Sequence, residues 1–229
     1  VSIDSTWIKG MKNLDAVMLI GNPGELGGIA VARNLNGTVN PSGHLVDTWA
    51  DIEDYLSTKY FASEDKDDPY GSKVEYYGEG IYTGYRYFDK FAANKVIYDF
   101  GYGLSYTKFK IATKDVKIKN GYVNVKVKVT NTGKKYSGKE VVQVYFSAPT
   151  GKGKLDKPYQ ELAAFGKTDT LKPGKSQELT LKFKANEMSS YDEKTASYIM
   201  DSGNYIIRVG NRSAKTTPVA KIKLDKKVV

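Results

Sequence analysis

The chain has 229 residues, 40% hydrophobic and 27% charged, with no cysteine and a formal charge of +9. That length suits one large domain or two small ones with an ordinary packed core. The composition excludes disulfides, thiolate metal sites and a cysteine nucleophile without fixing the compartment. No run approaches the roughly 18 apolar residues of a membrane span, so the chain reads as soluble and without a membrane partner. Val1-Ser2-Ile3-Asp4 lacks the basic-then-apolar pattern of a signal peptide. With no initiating methionine, the chain reads as a piece of something longer.

The charge is unevenly divided. Residues 1–107 carry 9 Lys/Arg against 15 Asp/Glu, a net of −6, whereas residues 108–229 carry 26 against 11, a net of +15. The basic half places Lys126 and Lys128 between valines, and Lys182 and Lys184 around Phe183, as on the solvent face of a strand. Its only arginines are Arg208 and Arg212, whereas patches that grip phosphate mix arginine and aromatics on one face. The pattern favours a solvated lysine face over a nucleic-acid surface.

In chain order, the apolar run Leu14–Ile20 predicts a buried parallel strand, Gly21-Asn22-Pro23-Gly24 a tight turn, and Glu25–Leu35 a helix. One such strand and helix cannot cover themselves, and nothing upstream of residue 14 or between 50 and 90 supplies the missing strands. The first part therefore reads as the end of an α/β domain whose beginning lies elsewhere. The glycine spacing Gly24-x-x-Gly27-Gly28 is neither a dinucleotide fingerprint nor a P-loop, so these glycines are assigned to close helix-to-sheet packing, and Glu25 to the helix dipole. Asn40-Pro41-Ser42-Gly43 predicts a turn. His44, the sole histidine, has no partner for a metal site or a triad and reads as turn-adjacent. Residues 51–80 hold 9 acids against 3 lysines, which predicts an exposed loop around Asp65–Pro69.

The run from Tyr76 to Asp89 holds six tyrosines and phenylalanines, one arginine and two acids. Aromatic faces with hydroxyl tips suit sugar rings and also suit a domain interface; the interface reading is the stronger. Tyr98–Thr107 then forms an aromatic joint, in which Gly101 and Gly103 permit a sharp turn while Phe100, Tyr102, Leu104 and Tyr106 pack inward. Beyond it, period-two alternation takes over. Val123, Val125, Val127 and Val129 share one face, as do Val142, Val144 and Phe146, then Leu179, Leu181 and Phe183, then Tyr205, Ile207 and Val209. Turn signals at Asn131-Thr132-Gly133, Lys172–Lys175 and Asp201–Asn204 separate them. About seven strands without cysteines predict an immunoglobulin-like or fibronectin-like β-sandwich. The fold class is thus mixed: residues 1–107 as an α/β remnant with its aromatic connector, and residues 108–229 as an all-β sandwich.

Five motifs occur in a familiar order: NPGELGG at 22–28, NPSGHL at 40–45, EGIYTGYRYFD at 79–89, YDFGYGLSYTKF at 98–109, and the sandwich pieces VTNTGKKYSGKEVVQVYFSAP and SGNYIIRVG. Together they resemble the C-terminal region of the glycoside hydrolase family 3 β-glucosidases over nearly the whole chain. The resemblance implies a (β/α)₈-type barrel partner, in the same protein or a companion chain, and a carbohydrate substrate. It implies retaining hydrolysis by an aspartate on the barrel and a glutamate acid/base on a loop of the α/β sandwich domain, about 5–5.5 Å apart across the glycosidic bond. Neither carboxylate maps onto this chain, which is expected to be an accessory region with no catalytic residue, cofactor or metal of its own. The run DTWADIEDYLSTKYF at 47–61 resembles members in which the barrel follows these domains, and so predicts a barrel downstream. Glu79 and Tyr82, an acid and an aromatic on a glycine-rich segment, are the expected substrate-proximal residues. The alternative is a carbohydrate-binding or structural β-sandwich module with no hydrolase role.

Overall fold

The computed structural model describes residues 5–59, 63–64, 73–74 and 77–229. The acidic stretch around Asp65–Pro69, and Tyr76 of the tyrosine run, lie outside them.

The first part consists of short elements: α1 (Thr6–Gly10), α2 (Gly27–Leu35), β1 (Trp49–Ala50), β2 (Ser63–Glu64), β3 (Lys73–Val74), α3 (Tyr85–Phe91) and β4 (Val96–Tyr98). β1 pairs antiparallel with β4, and β2 with β3. Ala50, Tyr55, Phe88 and Ala92 form a small buried core there, with the Tyr55 and Phe88 rings edge to face at 5.4 Å. The Tyr55 hydroxyl donates to the Thr48 carbonyl at 2.7 Å and accepts from the Ala50 amide at 3.1 Å, so the ring is fixed at both ends.

The predicted strand over residues 14–20 does not form. Those residues have no regular secondary structure, and Met18, Leu19 and Ile20 stand 41–53% exposed. The reason is the one that made the run conspicuous: a parallel strand takes its hydrogen bonds and its apolar cover from neighbours, and none pairs with it among the described residues. Helix α2 does form but begins at Gly27, so Glu25 precedes it. Leu26, Ile29 and Leu35 face outward. Gly27 is required by the turn, because a Cβ there would meet the Pro23 ring at 2.6 Å, while Gly28 touches nothing within 4 Å. The helix-to-sheet packing assigned to both glycines is therefore absent.

The second part is a two-sheet sandwich. Strands β5 (Phe109–Lys119), β6 (Tyr122–Asn131) and β9 (Ser176–Lys184) form one antiparallel sheet in the order β5-β6-β9. The other, ordered β13-β12-β7-β8, contains β7 (Val141–Ser147), β8 (Glu161–Lys167), β12 (Gly203–Gly210) and β13 (Thr216–Leu224). A small hairpin, β10 (Ser190–Asp192) with β11 (Ser197–Ile199), is attached between β9 and β12. Alternation decides what goes inside: Val123, Val125, Val127 and Val129 are completely buried while Lys126 between them is exposed. Val142, Val144, Phe146, Leu181, Phe183, Tyr205, Ile207 and Val209 complete the core, with Leu179 packed at its margin. At roughly 1.5–3 kcal/mol for each fully buried large apolar side chain, this cluster dominates the stability of the sandwich.

Candidate functional site at the seam

The sequence motifs meet where the first part lies against the sandwich. The joint is threaded between two loops. The Gly101 amide donates to the Leu45 carbonyl and the Leu45 amide to the Tyr102 carbonyl, both at 2.8 Å, while the Ser213 amide donates to the Phe100 carbonyl at 2.8 Å. Gly101 has φ +88°, and a Cβ there would stand 2.9 Å from the Arg212 Cα and from the Gln143 amide group. A Cβ on Gly103 would meet the Gly43 carbonyl at 2.5 Å. Both glycines are thus required by close approach. Phe100 and Tyr102 are half-buried, but Leu104 is 61% and Tyr106 43% exposed, so only the first half of the joint packs inward. Tyr106 instead donates to the Asn34 carbonyl at 2.6 Å and packs beside Tyr136.

Residues 40–45 have no regular secondary structure, and the predicted turn does not form there. The Asn40 side chain is satisfied from two directions: its Oδ1 accepts from the Tyr106 amide at 2.8 Å, and its Nδ2 donates to the Ser137 carbonyl at 2.9 Å. His44 is an inter-part contact, not a bystander beside a turn, with Nε2 3.2 Å from Glu140 Oε1. Lys167 reaches across to the Ser42 carbonyl at 2.6 Å.

Helix α3 carries the tyrosine run onto the sandwich. Gly84, at φ +53°, precedes the helix and aims Tyr85 at the seam, where its ring lies 5.0 Å from Phe100 and 5.9 Å from Tyr145 and its hydroxyl accepts from the Leu162 amide. Asp89 accepts from Gln160 Nε2 at 2.7 Å and from the Ser213 hydroxyl at 3.3 Å. Burial pushes the Asp89 carboxyl above the usual aspartate range against the pull of those two hydrogen bonds, with Asp99 nearby raising it further. Burial likewise raises Tyr85 and Glu161.

The expected substrate-proximal residues line one cleft of about 350 Å³. Glu79, Tyr82 and Arg86 line it together with Thr48, Tyr55 and Ser57. Glu79 is part-exposed, and its carbonyl accepts from the Tyr82 amide at 2.9 Å, so the two belong to one turn. The Tyr82 ring stands edge-on to Phe91 at 4.9 Å. Its hydroxyl donates to Asp156 on the sandwich and accepts from Lys90. Burial, followed by that bond to Asp156, raises the Tyr82 hydroxyl pKa. Arg86 Nε lies 3.6 Å from Glu161, and the buried Arg86 Nε and Thr48 Oγ1 have no hydrogen-bond partner among the described residues. The cleft is thus polar, aromatic and lined by one cation, Arg86, and two acids, Asp47 and Glu79. The sequence reading missed the groups behind it, Asp89, Asp99, Asp156, Gln160 and Arg212, because no spacing in the chain links residues that are 60 to 120 positions apart.

A small α/β part clamped along one side of a fibronectin-type sandwich is a module of a larger protein class, and the comparisons identify that class. Residues 2–106 match the family model described as the glycosyl hydrolase family 3 C-terminal domain, and residues 140–213 the fibronectin type III-like domain. The chain belongs to glycoside hydrolase family 3, of which it carries this C-terminal region. It is 41% identical over 231 residues to β-glucosidase A of Butyrivibrio fibrisolvens, covering 91% of this chain and 26% of that protein. It is 36% identical over 219 residues to an exo-α-(1→6)-L-arabinopyranosidase of Bifidobacterium breve, covering 93% of this chain and 27% of that protein. β-Glucosidase 3B of Thermotoga neapolitana, solved with glucose, superposes with a TM-score of 0.85 at 34% identity, over 99% of this chain and 30% of that one. The chain spans about a quarter of the length of the curated relatives it matches. No helix among the described residues is long and apolar enough to cross a membrane.

Proposed function

We propose that this chain is the accessory, non-catalytic region of a retaining family 3 exo-β-glycosidase of β-glucosidase type, working beside a (β/α)₈-type barrel that supplies the nucleophile. The observation that carries this reading is near-complete coverage of the chain by relatives of which it is only a quarter to a third. Residues 1–107 act as the C-terminal part of the α/β sandwich domain and residues 108–229 as the fibronectin-like domain. This division is supported by a family match that ends at 106 and a strand that begins at Phe109. The outward apolar residues of the 14–20 run and of α2 are the faces that the remainder of the α/β domain would cover. Relatives named for a glucosidase and for an arabinopyranosidase share this region at similar identity, which supports a bracing role over one that selects the sugar.

Glu79 and Tyr82 border the substrate side through the cleft they line. The test is hydrolysis of aryl β-glucosides by the full-length gene product and by the 229-residue chain. The full-length protein is expected to be active and the isolated chain inactive; activity in the chain alone overturns the accessory reading. Retention of the isolated chain on insoluble glucan would instead favour a binding module. In the full-length enzyme, Glu79→Gln and Tyr82→Phe are expected to raise KM, and unchanged kinetics and stability would remove both residues from the substrate side.

A further inference from the structure

The loop between β7 and β8 is held far more firmly than a surface connection requires. Lys157, which the sequence presents as one lysine among many, is 1% exposed in its side chain and pairs with Asp201 at 2.6 Å. Its ammonium also donates to the carbonyls of Pro149 and Leu155, at 3.2 and 3.1 Å, so all three protons are satisfied. Lys154 adds a bond to the Ser202 carbonyl at 2.6 Å, and the Leu155 amide approaches Asp201 at 3.3 Å. The loop is therefore nailed to the start of β12 from within.

The residue next to this anchor, Asp156, points the other way. It accepts from Lys90 on α3 at 2.8 Å and from the Tyr82 hydroxyl, and Lys90 donates as well to the Lys157 carbonyl at 2.9 Å. Its hydrogen bonds to Lys90 and then to Tyr82 hold the Asp156 carboxyl below the usual range. Lys90 lies 4.7 Å from the Tyr82 ring centroid, so the three side chains form one cluster. Tyr82 shares a turn with Glu79, and both line the cleft.

We propose that Asp156 and Lys90 are positioning residues, through which the buried Lys157–Asp201 anchor of the sandwich sets the Glu79–Gly84 wall of the cleft. The fibronectin-like sandwich then has a mechanical part in the site: it supplies the fixed end against which a glycine-rich turn, with Gly80 and Gly84 both at φ +53°, is held in one arrangement. A turn held only by its own backbone bonds would sample several arrangements, and the cleft would lose its shape with it. The kinetic consequence rests on the reading that this cleft faces substrate; the mechanical one does not.

The experiment is hydrogen exchange with mass spectrometry on the full-length protein, comparing wild type with Asp156→Asn and with the exchanged pair Asp156→Lys/Lys90→Asp. Asp156→Asn is expected to speed exchange of the amides in 77–84 about fivefold or more while β7 and β12 keep their protection, and the exchanged pair to recover a good part of it. KM for a β-glucoside should rise severalfold with a smaller change in kcat. Unchanged exchange in 77–84 overturns the proposal. So does loosening spread across the whole sandwich, which would mean a general folding role, and so does failure of the exchanged pair to restore protection. Local loosening with wild-type kinetics upholds the mechanical link and overturns the substrate-side reading of the cleft.

Discussion

Arg212 lays its guanidinium against Asp99, Nη1 to Oδ1 at 3.0 Å, and over the Tyr102 ring at 5.1 Å, so one residue of the sandwich closes on two of the aromatic joint. The Asp99 carboxylate is 10% exposed and its other oxygen accepts from the Ala214 amide at 3.2 Å. Removing the cation would leave a nearly buried charge with a single donor. Arg212→Met is therefore expected to destabilise the folded protein by about 2–4 kcal/mol. Adding Asp99→Asn should recover part of the loss, because the orphaned charge goes with it. Urea unfolding of Arg212→Met, Asp99→Asn and the double variant measures the coupling, and strictly additive effects would show that the pair does not act as a unit.

Gly101 and Gly103 give a sharper test of the joint. Gly101→Val combines a φ of +88° with a 2.9 Å approach to the Arg212 backbone, and Gly103→Val places a branched side chain against the Gly43 carbonyl. Each should cost about 2 kcal/mol or more and lower the melting temperature of the whole protein. Gly43→Ala is the control: nothing lies within 4 Å of its Cβ, and a change within about 0.5 kcal/mol is expected. Survival of stability and activity in the valine variants would reduce the joint to a linker.

The sandwich was legible in the sequence because its signal is local. Every second residue of β6 from Val123 to Val129 is apolar, and that period survives whatever surrounds it. The strand over 14–20 was legible as hydrophobicity but not as structure, since a parallel strand exists only with its neighbours. The joint was legible through Gly101 and Gly103, whereas Leu104 and Tyr106 misled because apolar character alone does not say which way a chain turns after a glycine. Nothing near Lys157 marks it as buried; its partner Asp201 is 44 residues away and belongs to a motif read as a turn. His44 was misread for the same reason, its partner Glu140 lying in the other part of the molecule.

The seam should respond to pH in a defined direction. Burial raises the folded-state pKa of Asp89 and of Glu161 above their unfolded values, so the native state binds protons more tightly than the unfolded chain between those limits. Stability contributed by these groups is fully present below the unfolded pKa values, near 3.8 and 4.5, and falls as pH rises through the raised ones. Asp156 acts oppositely: its lowered pKa gives stability at neutral pH that is lost on acidification, and its exposure keeps that contribution small. Asp89→Asn should flatten the decline in stability as pH rises above the unfolded value of 3.8. Denaturant midpoints at several pH values test this, and an unaltered slope would mean that Asp89 does not titrate in that range.

The last prediction concerns the anchor. Lys157→Met leaves Asp201 buried with, among the described residues, only the Leu155 amide at 3.3 Å donating to its carboxylate, and leaves the Pro149 and Leu155 carbonyls without their donor. A broken buried pair of this kind is expected to cost about 3–5 kcal/mol. Lys157→Met/Asp201→Asn removes the uncompensated charge and should lose less than the single variant, though not return to wild type, because the two carbonyls remain unmet. Tyr205 offers an internal check. Its hydroxyl donates to the Asp201 carbonyl at 3.0 Å, and burial followed by the Asp201 charge pushes its pKa up to about 12. Neutralising Asp201 should bring that titration down, visible as an earlier rise in tyrosinate absorbance if the protein stays folded at that pH. If Lys157→Met proves as stable as wild type, the ammonium is not what fixes the loop, and the held wall of the cleft needs another anchor.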